Sequence, residues 1–324
     1  MINSQRSKRI VVIGATGHIG TFLVPRLVAA GHQVVALSRG EREPYRPHQA
    51  WAKVERVTID RAKEEAAGTF GKRIAELRPD VVVDLICFTL ASAQHLVRAL
   101  EQSDALLLHC GTMWVHGHST IVPTTETQAR APFGDYGIKK AEIEKWLLEA
   151  TRSKRIRASL LHPGHIVGPG WPPVNPAGHV DPSVFDRLAN GDELALPNFG
   201  METLHHVHAD DVAQAFELAI ANDDRAIGES FHVCSPAAMT LRGYAEAMAA
   251  HFGQVARLVF LPWDEWRKTV TEEQASITWD HIAHSPNGSI AKARERLGYA
   301  PAYTSLQAVI ESVAELAVRK TTNM

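Results

Sequence analysis

Cysteine is scarce: three in 324 residues (Cys87, Cys110 and Cys234), odd in number and far apart. That excludes a disulfide-stapled framework and makes a reducing cytoplasm the expected location. An excess of either charge is lacking too. Lys and Arg number 34 against 36 Asp and Glu, a formal charge of −2, so no electrostatic feature calls for a nucleic acid or an acidic membrane as partner. No uncharged apolar run reaches the roughly 18 residues of a membrane span. The opening residues carry Arg6, Lys8 and Arg9 but no apolar signal segment. Repeats and low-complexity tracts are absent. What remains is an ordinary globular composition, 45% hydrophobic and 22% charged, long enough for one large domain or two smaller ones.

The first patterned stretch is residues 9–40. Ile10-Val11-Val12-Ile13 is a continuous β-branched run, as expected of a strand buried on both faces of a parallel sheet. Gly14-Ala15-Thr16-Gly17-His18-Ile19-Gly20 follows at once. Phe22, Leu23, Leu27 and Val28 then recur at helical spacing, Gly31 supplies a C-cap, and Val34-Val35-Ala36-Leu37 forms a second strand. This is a βαβ unit with a glycine-rich turn at the helix N-terminus. Such a turn lets the backbone approach a ligand closely, and the free N–H groups of the helix end receive a pyrophosphate. Gly14, Thr16, Gly17, His18, Ile19 and Gly20 are therefore candidate dinucleotide-binding residues. Pro25, inside the helix, should cost one backbone bond or introduce a kink.

The spacing G-x-x-G-x-x-G between a strand and a helix resembles the short-chain dehydrogenase/reductase superfamily, in particular its extended branch, the NAD-dependent epimerase/dehydratase family. The resemblance implies an α/β fold, a Rossmann-type doubly wound parallel sheet with a smaller C-terminal substrate lobe. It also implies a nicotinamide cofactor. In that superfamily the end of the second strand reads the adenosine ribose, where an acid binds NAD and an Arg accommodates the 2′-phosphate of NADP. Here the strand ends Leu37-Ser38-Arg39-Gly40, with no acid. Ser38 and Arg39 are expected at the ribose, with NADP preferred over NAD, because an Arg fork matches a phosphate dianion. The alternative is that Arg39 opens a solvated loop with Arg42 and Arg46. Val57-Thr58-Ile59-Asp60 resembles the third strand, ending in an Asp that meets the adenine. Residues 80–87 resemble the fourth, which places Leu85 and Ile86 at the cofactor.

Ala105-Leu106-Leu107-Leu108-His109 reads as the fifth strand, followed by Cys110-Gly111-Thr112-Met113-Trp114-Val115-His116-Gly117. This resembles the family's S-S-x-x-V-Y-G segment. On that match Thr112 takes the place of the active-site Ser/Thr, whose hydroxyl bonds the reacting substrate oxygen. Cys110-Gly111 replaces a small polar pair, and His116 a Tyr. Further on, Tyr136 and Lys140 form a Y-x-x-x-K match on an amphipathic helix. Ile143, Trp146, Leu147 and Ala150 supply its apolar face, with Asp135 as the expected N-cap. Tyr136 and Lys140 share a helix face. A phenol titrates near about 10, too high for a base at neutral pH, and a neighbouring ammonium is expected to lower it. The resemblance gives Tyr136 the acid/base role and Lys140 the nicotinamide ribose.

Residues 158–170 resemble the family's sixth strand and its R-P-x-x-x-x-G-P motif, with His162 in place of the Arg. In relatives the residues after that proline line the nicotinamide pocket, so Pro163, His165 and Ile166 join the candidate cofactor site. The Pro- and Gly-rich run 171–178 is a loop that either covers substrate, with Trp171 as a wall, or joins two lobes. Leu204-His205-His206-Val207-His208-Ala209-Asp210-Asp211 resembles R-D-F-I-H-V-D-D. Three close histidines raise the question of a metal. Strand alternation turns neighbours to opposite faces, however, and no cysteine or spaced acid completes a ligand set, so buried hydrogen-bonded histidines are expected and no metal. Asp210 and Asp211 are expected to cap a helix over 212–221. Further helices are expected over 183–189, 241–252 and 306–318.

Residues 1–167 are thus expected to form the cofactor domain. Residues 168–324 form mainly a substrate lobe, discontinuous, with a return to the main sheet around 202–235. Family members often dimerise through the Tyr-bearing helix and the one before it, here 91–100. Leu96, Val97 and Leu100 would serve either a homodimer or burial on the sheet. The expected function is that of an NAD(P)-dependent oxidoreductase or epimerase acting at a hydroxyl/carbonyl carbon of a sugar-like small molecule. The alternative is a non-catalytic NADP-binding sensor or an RNA-binding relative; the Thr112, Tyr136 and Lys140 set and the balanced charge argue against it. Nucleotide-sugar enzymes of the family commonly bring the Arg of R-D-F-I-H-V-D-D to the substrate's diphosphate. Leu204 stands there, His162 replaces the other Arg, and Arg187 reads as a solvated helix face. The expected substrate therefore carries no diphosphate, unless Arg242 or Arg267 folds into the pocket.

Overall fold

A computed structural model describes residues 6–322; residues 1–5, read above for a leader segment, lie outside them. The first strands are β1 (Arg9–Ile13), β2 (Gln33–Ser38), β3 (Glu55–Thr58), β4 (Val81–Asp84), β5 (Leu106–Cys110) and β6 (Arg157–Pro163). Between them lie α1 (His18–Ala29), α2 (Arg61–Ala66), α3 (Phe70–Glu76), α4 (Leu90–Leu100) and α5 (Gly134–Arg152). The chain continues through β7 (His165–Val167), α6 (Ser183–Asn190), β8 (Glu193–Pro197), β9 (Thr203–Leu204), β10 (His206–His208), α7 (Ala209–Ala221) and α8 (Asp223–Ala226). Then come β11 (Ser230–Val233), β12 (Met239–Thr240), α9 (Leu241–His251), β13 (Arg257–Leu261) and α10 (Trp263–Trp266). The last elements are α11 (Glu272–His284), α12 (Ala291–Leu297) and α13 (Ser305–Thr322).

Seven strands form one sheet in the order β11-β6-β5-β4-β1-β2-β3, parallel throughout. Helices cover both faces, which is why the inner strands β1, β2, β4 and β5 read as apolar runs; β3, at the edge, is mostly exposed. On one face Ile10, Val12, Val81 and Val83 pack with Leu23 and Leu27 of α1 and Phe216 of α7. On the other, Val11, Val82 and Leu107 meet Leu96 and Val97 of α4 and Ile143 and Leu147 of α5. Leu96, Val97 and Leu100 are at most 1% exposed there, a burial worth ~1.5–3 kcal/mol for each side chain. The α4 stripe is therefore used within the chain and leaves no homodimer surface of those residues. A separate core of Val184, Leu196, Leu204, Tyr244 and Trp266 builds the second lobe, edged by the small ladders β8–β13, β9–β12 and β7–β10. Pairing of β11 with β6 brings the chain back to the main sheet. Among the described residues no helix is long and apolar enough to cross a membrane.

Helix α1 continues through Pro25, its inner side fixed by the fully buried Leu23, Val24 and Leu27. Local details depart from the sequence expectations at three places. Strand β3 stops at Thr58, and Asp60 instead caps α2, accepting from the Lys63 N–H at 3.2 Å. Helix α5 starts one residue before Asp135 with Phe133 at its cap; the Phe133 ring, stacked on His284 at 3.9 Å, fixes the entry of the chain. Helix α7 is capped by the His208 side chain and not by its acids. Asp210 pairs with Arg26 at 2.7 Å, while Asp211 accepts the backbone N–H groups of Ala302 and Tyr303 at 2.7 and 3.2 Å.

Candidate active site

The strand order reverses between β1 and β4, and a crevice opens beyond their C-terminal ends, as expected at such a switch point. A cavity of about 500 Å³ there is lined by Gly14, Thr16, Gly17, Ser38, Arg39, Asp60 and Ile86, among others. Its floor is backbone. A Cβ on Gly14 would lie 2.8 Å from Ile86, so that glycine, at φ 86°, leaves the turn open. Gly17 caps α1 with no side chain on the free amides and no acid in the first turn. Bare N–H groups at the positive end of a helix dipole fit a pyrophosphate, and the residues present thus fit a dinucleotide. Gly20 is not among the residues lining this cavity; a Cβ there would stand 2.2 Å from the Ala15 carbonyl oxygen, so it lets α1 sit on the turn. Arg39 pairs with Glu41 at 3.0 Å, both more than half exposed.

His18 also lines neither cavity of the crevice. Its Nδ1 meets the Tyr45 hydroxyl at 2.5 Å, and its ring stacks on Trp171 with 4.7 Å between centroids. Trp171 lies against the glycine helix, and it is not among the residues around the substrate-side cavity described next.

That second cavity, about 290 Å³, gathers residues distant in sequence: Ile19 and Leu85, Thr112 after β5, Tyr136 and Lys140 on α5, Pro163 at the end of β6, and His165 and Ile166 on β7. Phe88 lines both cavities and joins them. Several wall residues are not among the predicted site residues, Trp114, Phe88 and Pro286 among them. Trp114, in the quoted segment, packs edge-on to Tyr136 at 5.8 Å. Phe88 follows β4 with no pattern to mark it, and Pro286 arrives from the far lobe.

Tyr136 and Thr112 line the same cavity wall, and the Thr112 hydroxyl accepts from the Trp114 N–H at 3.3 Å. Desolvation, then the neighbouring Cys110, pushes the Tyr136 phenol up to about 12, and the nearby Thr112 hydroxyl acts in the opposite direction. The expected depression by Lys140 is not found. The Lys140 ammonium donates to the Cys87 and Cys110 carbonyls, at 2.7 Å each, and stands 5.9 Å from the Tyr136 ring centre. Burial in turn pushes Lys140 below the usual lysine range. With two carbonyls holding the ammonium, desolvation decides both groups.

The close histidines are fully buried. His205 Nε2 meets the Ser235 carbonyl at 2.9 Å and its Nδ1 accepts from Gly288 at 3.0 Å. His206 Nε2 meets the Val174 carbonyl at 3.0 Å. Among the described residues one trio brings metal-type donor atoms within 4.8 Å: Asp84, Cys87 and His109. Arg61 already pairs with Asp84 at 2.7 Å, and burial pushes the Cys87 thiol up to about 12, so the trio holds an ion pair and a neutral thiol.

A parallel sheet with a bare glycine turn at its switch point, beside a Thr/Tyr/Lys set of which Thr112 and Lys140 are buried, defines a Rossmann-type dinucleotide-binding protein. Residues 10–234 match the NAD dependent epimerase/dehydratase family, and the chain belongs to it. It is 28% identical over 280 residues to 2'-dehydrokanamycin reductase of Streptomyces kanamyceticus, covering 85% of this chain and 76% of that one. It is 26% identical over 320 residues to dTDP-6-deoxy-L-talose 4-dehydrogenase (NAD(P)(+)) of Kitasatospora kifunensis, covering 94% of each. UDP-glucose 4-epimerase of Thermotoga maritima, solved with UDP-glucose, shares the fold with a TM-score of 0.73 at 20% identity, over 97% of this chain and 99% of that one.

Proposed function

We propose that this protein is a nicotinamide-dependent oxidoreductase or epimerase acting at a hydroxyl/carbonyl carbon of a sugar-like small molecule that carries no nucleotide diphosphate. The observation that carries the reading is the meeting of Thr112, Tyr136 and Lys140 around one cavity that continues, past Phe88, into the crevice over the glycine turn. The turn at Gly14, Thr16 and Gly17 would hold the pyrophosphate, Ser38 and Arg39 the adenosine ribose, and Pro163 to Ile166 the nicotinamide end. NADP is preferred over NAD, because β2 ends in Arg39 with no acid. The dinucleotide, when bound, supplies or accepts hydride. The chain's own part is proton chemistry. Thr112 Oγ1 and Tyr136 Oη, on the wall of one cavity, bracket a substrate oxygen and orient it. A phenol held near 12 is protonated at neutral pH, so Tyr136 gives its proton to a carbonyl oxygen as that carbon is reduced.

Cations support the absence of a diphosphate. Among the described residues lining the reaction cavity Lys140 is the one cation, and two carbonyls already engage it. Leu204 is fully buried in the second core. Arg187 and Arg267 are exposed, and Arg242 pairs with Glu246 at 2.8 Å. Two buried phosphates would find no partner. The relatives' names stand on both sides of this point, one naming a dTDP-sugar and one 2'-dehydrokanamycin. The test is NADPH turnover over ketone-bearing sugars, aminoglycosides and nucleotide sugars, with Tyr136→Phe as the control. Tyr136→Phe should lower kcat by about 10²–10⁴-fold and leave cofactor affinity within a few fold; full activity would remove the acid/base assignment. UDP and UDP-sugars should not compete with substrate, and tight competitive binding beside Tyr136 would refute the diphosphate-free reading.

A further inference from the structure

Thr112 follows β5 at the cap of a short 3-10 turn, Met113–His116. What holds it there is a buried side chain on β6. The Thr112 backbone N–H donates to His162 Nδ1 at 2.9 Å. That nitrogen is therefore unprotonated, and the proton on Nε2 donates to Glu144 Oε1 at 3.0 Å. Glu144 receives two further bonds from Arg130, at 2.7 and 2.8 Å, and one from Ser230 Oγ at 2.7 Å. The His162 and Glu144 side chains are 0% and 3% exposed, and neither lines the reaction cavity. Gly111 makes the room. A Cβ at that position would lie 2.2 Å from His162 Nδ1 and 2.5 Å from its Cε1.

The geometry points to Glu144 and His162 as a positioning relay that sets the Thr112 hydroxyl against Tyr136. It rests on the Thr112 and Tyr136 roles proposed above. Glu144 lies on α5 one helical step beyond Lys140, on the face that also carries Tyr136. One helix thus fixes both hydroxyl residues of the cavity, Tyr136 through its own backbone and Thr112 through His162. The ionised carboxylate, with its Arg130 and Ser230 partners, locks the imidazole tautomer whose Nδ1 accepts.

Two amides separate this role from the filling of a core. His162→Asn puts an acceptor oxygen near the Nδ1 position, within reach of the Thr112 N–H, and gives up Glu144. His162→Gln extends to the Nε2 position, keeps Glu144 and lacks the acceptor. His162→Gln should lower kcat by about 10–100-fold, with KM and the dinucleotide Kd within about twofold, and His162→Asn should recover most of that loss. Crystal structures of the two variants should keep the bond from the Thr112 N–H to residue 162, and Thr112 in place, with Asn, and should lose that bond and shift Thr112 with Gln. This arm needs no substrate. A chain that turns over none of the panel but shows this pattern has lost the function proposed above and kept the relay. Unaltered kcat or an unmoved Thr112 in His162→Gln overturns the relay, as does a His162→Asn enzyme no better than His162→Gln. Imidazole ¹⁵N spectra of the unaltered protein, which hold whether or not the variants fold, should show the Nε2–H tautomer of His162; the Nδ1–H tautomer overturns the inference.

Discussion

Tyr136 and Lys140 are a pair whose chemistry is decided by what each is already bonded to. Lys140, held by two carbonyls at 2.7 Å, does not pull the phenol down, so burial keeps Tyr136 an acid. Arg39 is the opposite case, an exposed cation with an exposed partner. Its bond to Glu41 is of the rim kind that opens at little cost, which frees the guanidinium for a 2′-phosphate. Arg39→Ala should weaken NADP(H) binding about 10–100-fold, the loss of a charge-assisted bidentate contact, and leave NAD(H) within about twofold. Calorimetry that found NAD bound more tightly than NADP by the unaltered protein would defeat this reading of Arg39. The glycine turn and the Thr112, Tyr136 and Lys140 spacing were legible because each is a local pattern. Gly111 and His162 read in the sequence as two separate departures from the family's motifs, and only the 2.2 Å approach of a Cβ to His162 makes them one contact.

Among the elements, α1 is the most tightly specified. Its first turn lies so near the β1 end that a Cβ on Gly20 would meet backbone, 2.2 Å from the Ala15 oxygen and 2.7 Å from its Cα. Backbone cannot swing aside as a long side chain can. Gly20→Ala should therefore cost ~1–3 kcal/mol in denaturant unfolding and loosen dinucleotide binding at least about tenfold, because the displaced helix carries the pyrophosphate amides with it. A variant that binds the cofactor as tightly as the unaltered chain would mean that α1 tolerates a wider seat. The strands of the first half were legible from their apolar runs, and so were the helices packed on them. Helix ends were less so. Asp135, Asp210 and Asp211 have the composition of caps, yet Phe133 and His208 occupy those positions, because ring stacking and distant backbone amides compete for the same side chains. A return to the main sheet around 202–235 is expected from the family resemblance alone, with no residue pattern in Ser230–Val233 to place its pairing with β6, and nothing near Pro286 points to the reaction cavity; both depend on contacts between residues far apart in the chain.

Taken as a whole, the molecule holds an unusual number of neutral histidines in its interior, out of 17 in the chain. His18, His116, His179, His205, His206 and His208 are each at most 8% exposed. Burial pushes His18 and His206 down to about 3 and the other four to about 4. The unfolded chain binds protons at these side chains below about pH 6.5, and the folded chain does not until about pH 4. Their contribution to stability is present above the unfolded value and is lost as pH falls toward the folded one. Each contributes a slope of about 1.4 kcal/mol per pH unit in that window. Six together reach the order of 8 kcal/mol per unit, comparable to the whole stability of a typical domain. Asp211 works the other way, since burial pushes it up to about 6 and its folded form gains a proton as the pH falls, but it is one group against six. Circular dichroism and tryptophan fluorescence followed downward from neutral pH should show cooperative unfolding centred between about pH 5 and 6, with uptake of about five protons or more. A chain that keeps its native signals at pH 4, or that unfolds there with uptake of only one or two protons, would mean that these histidines charge in place, with water or a carboxylate reaching them inside the folded protein.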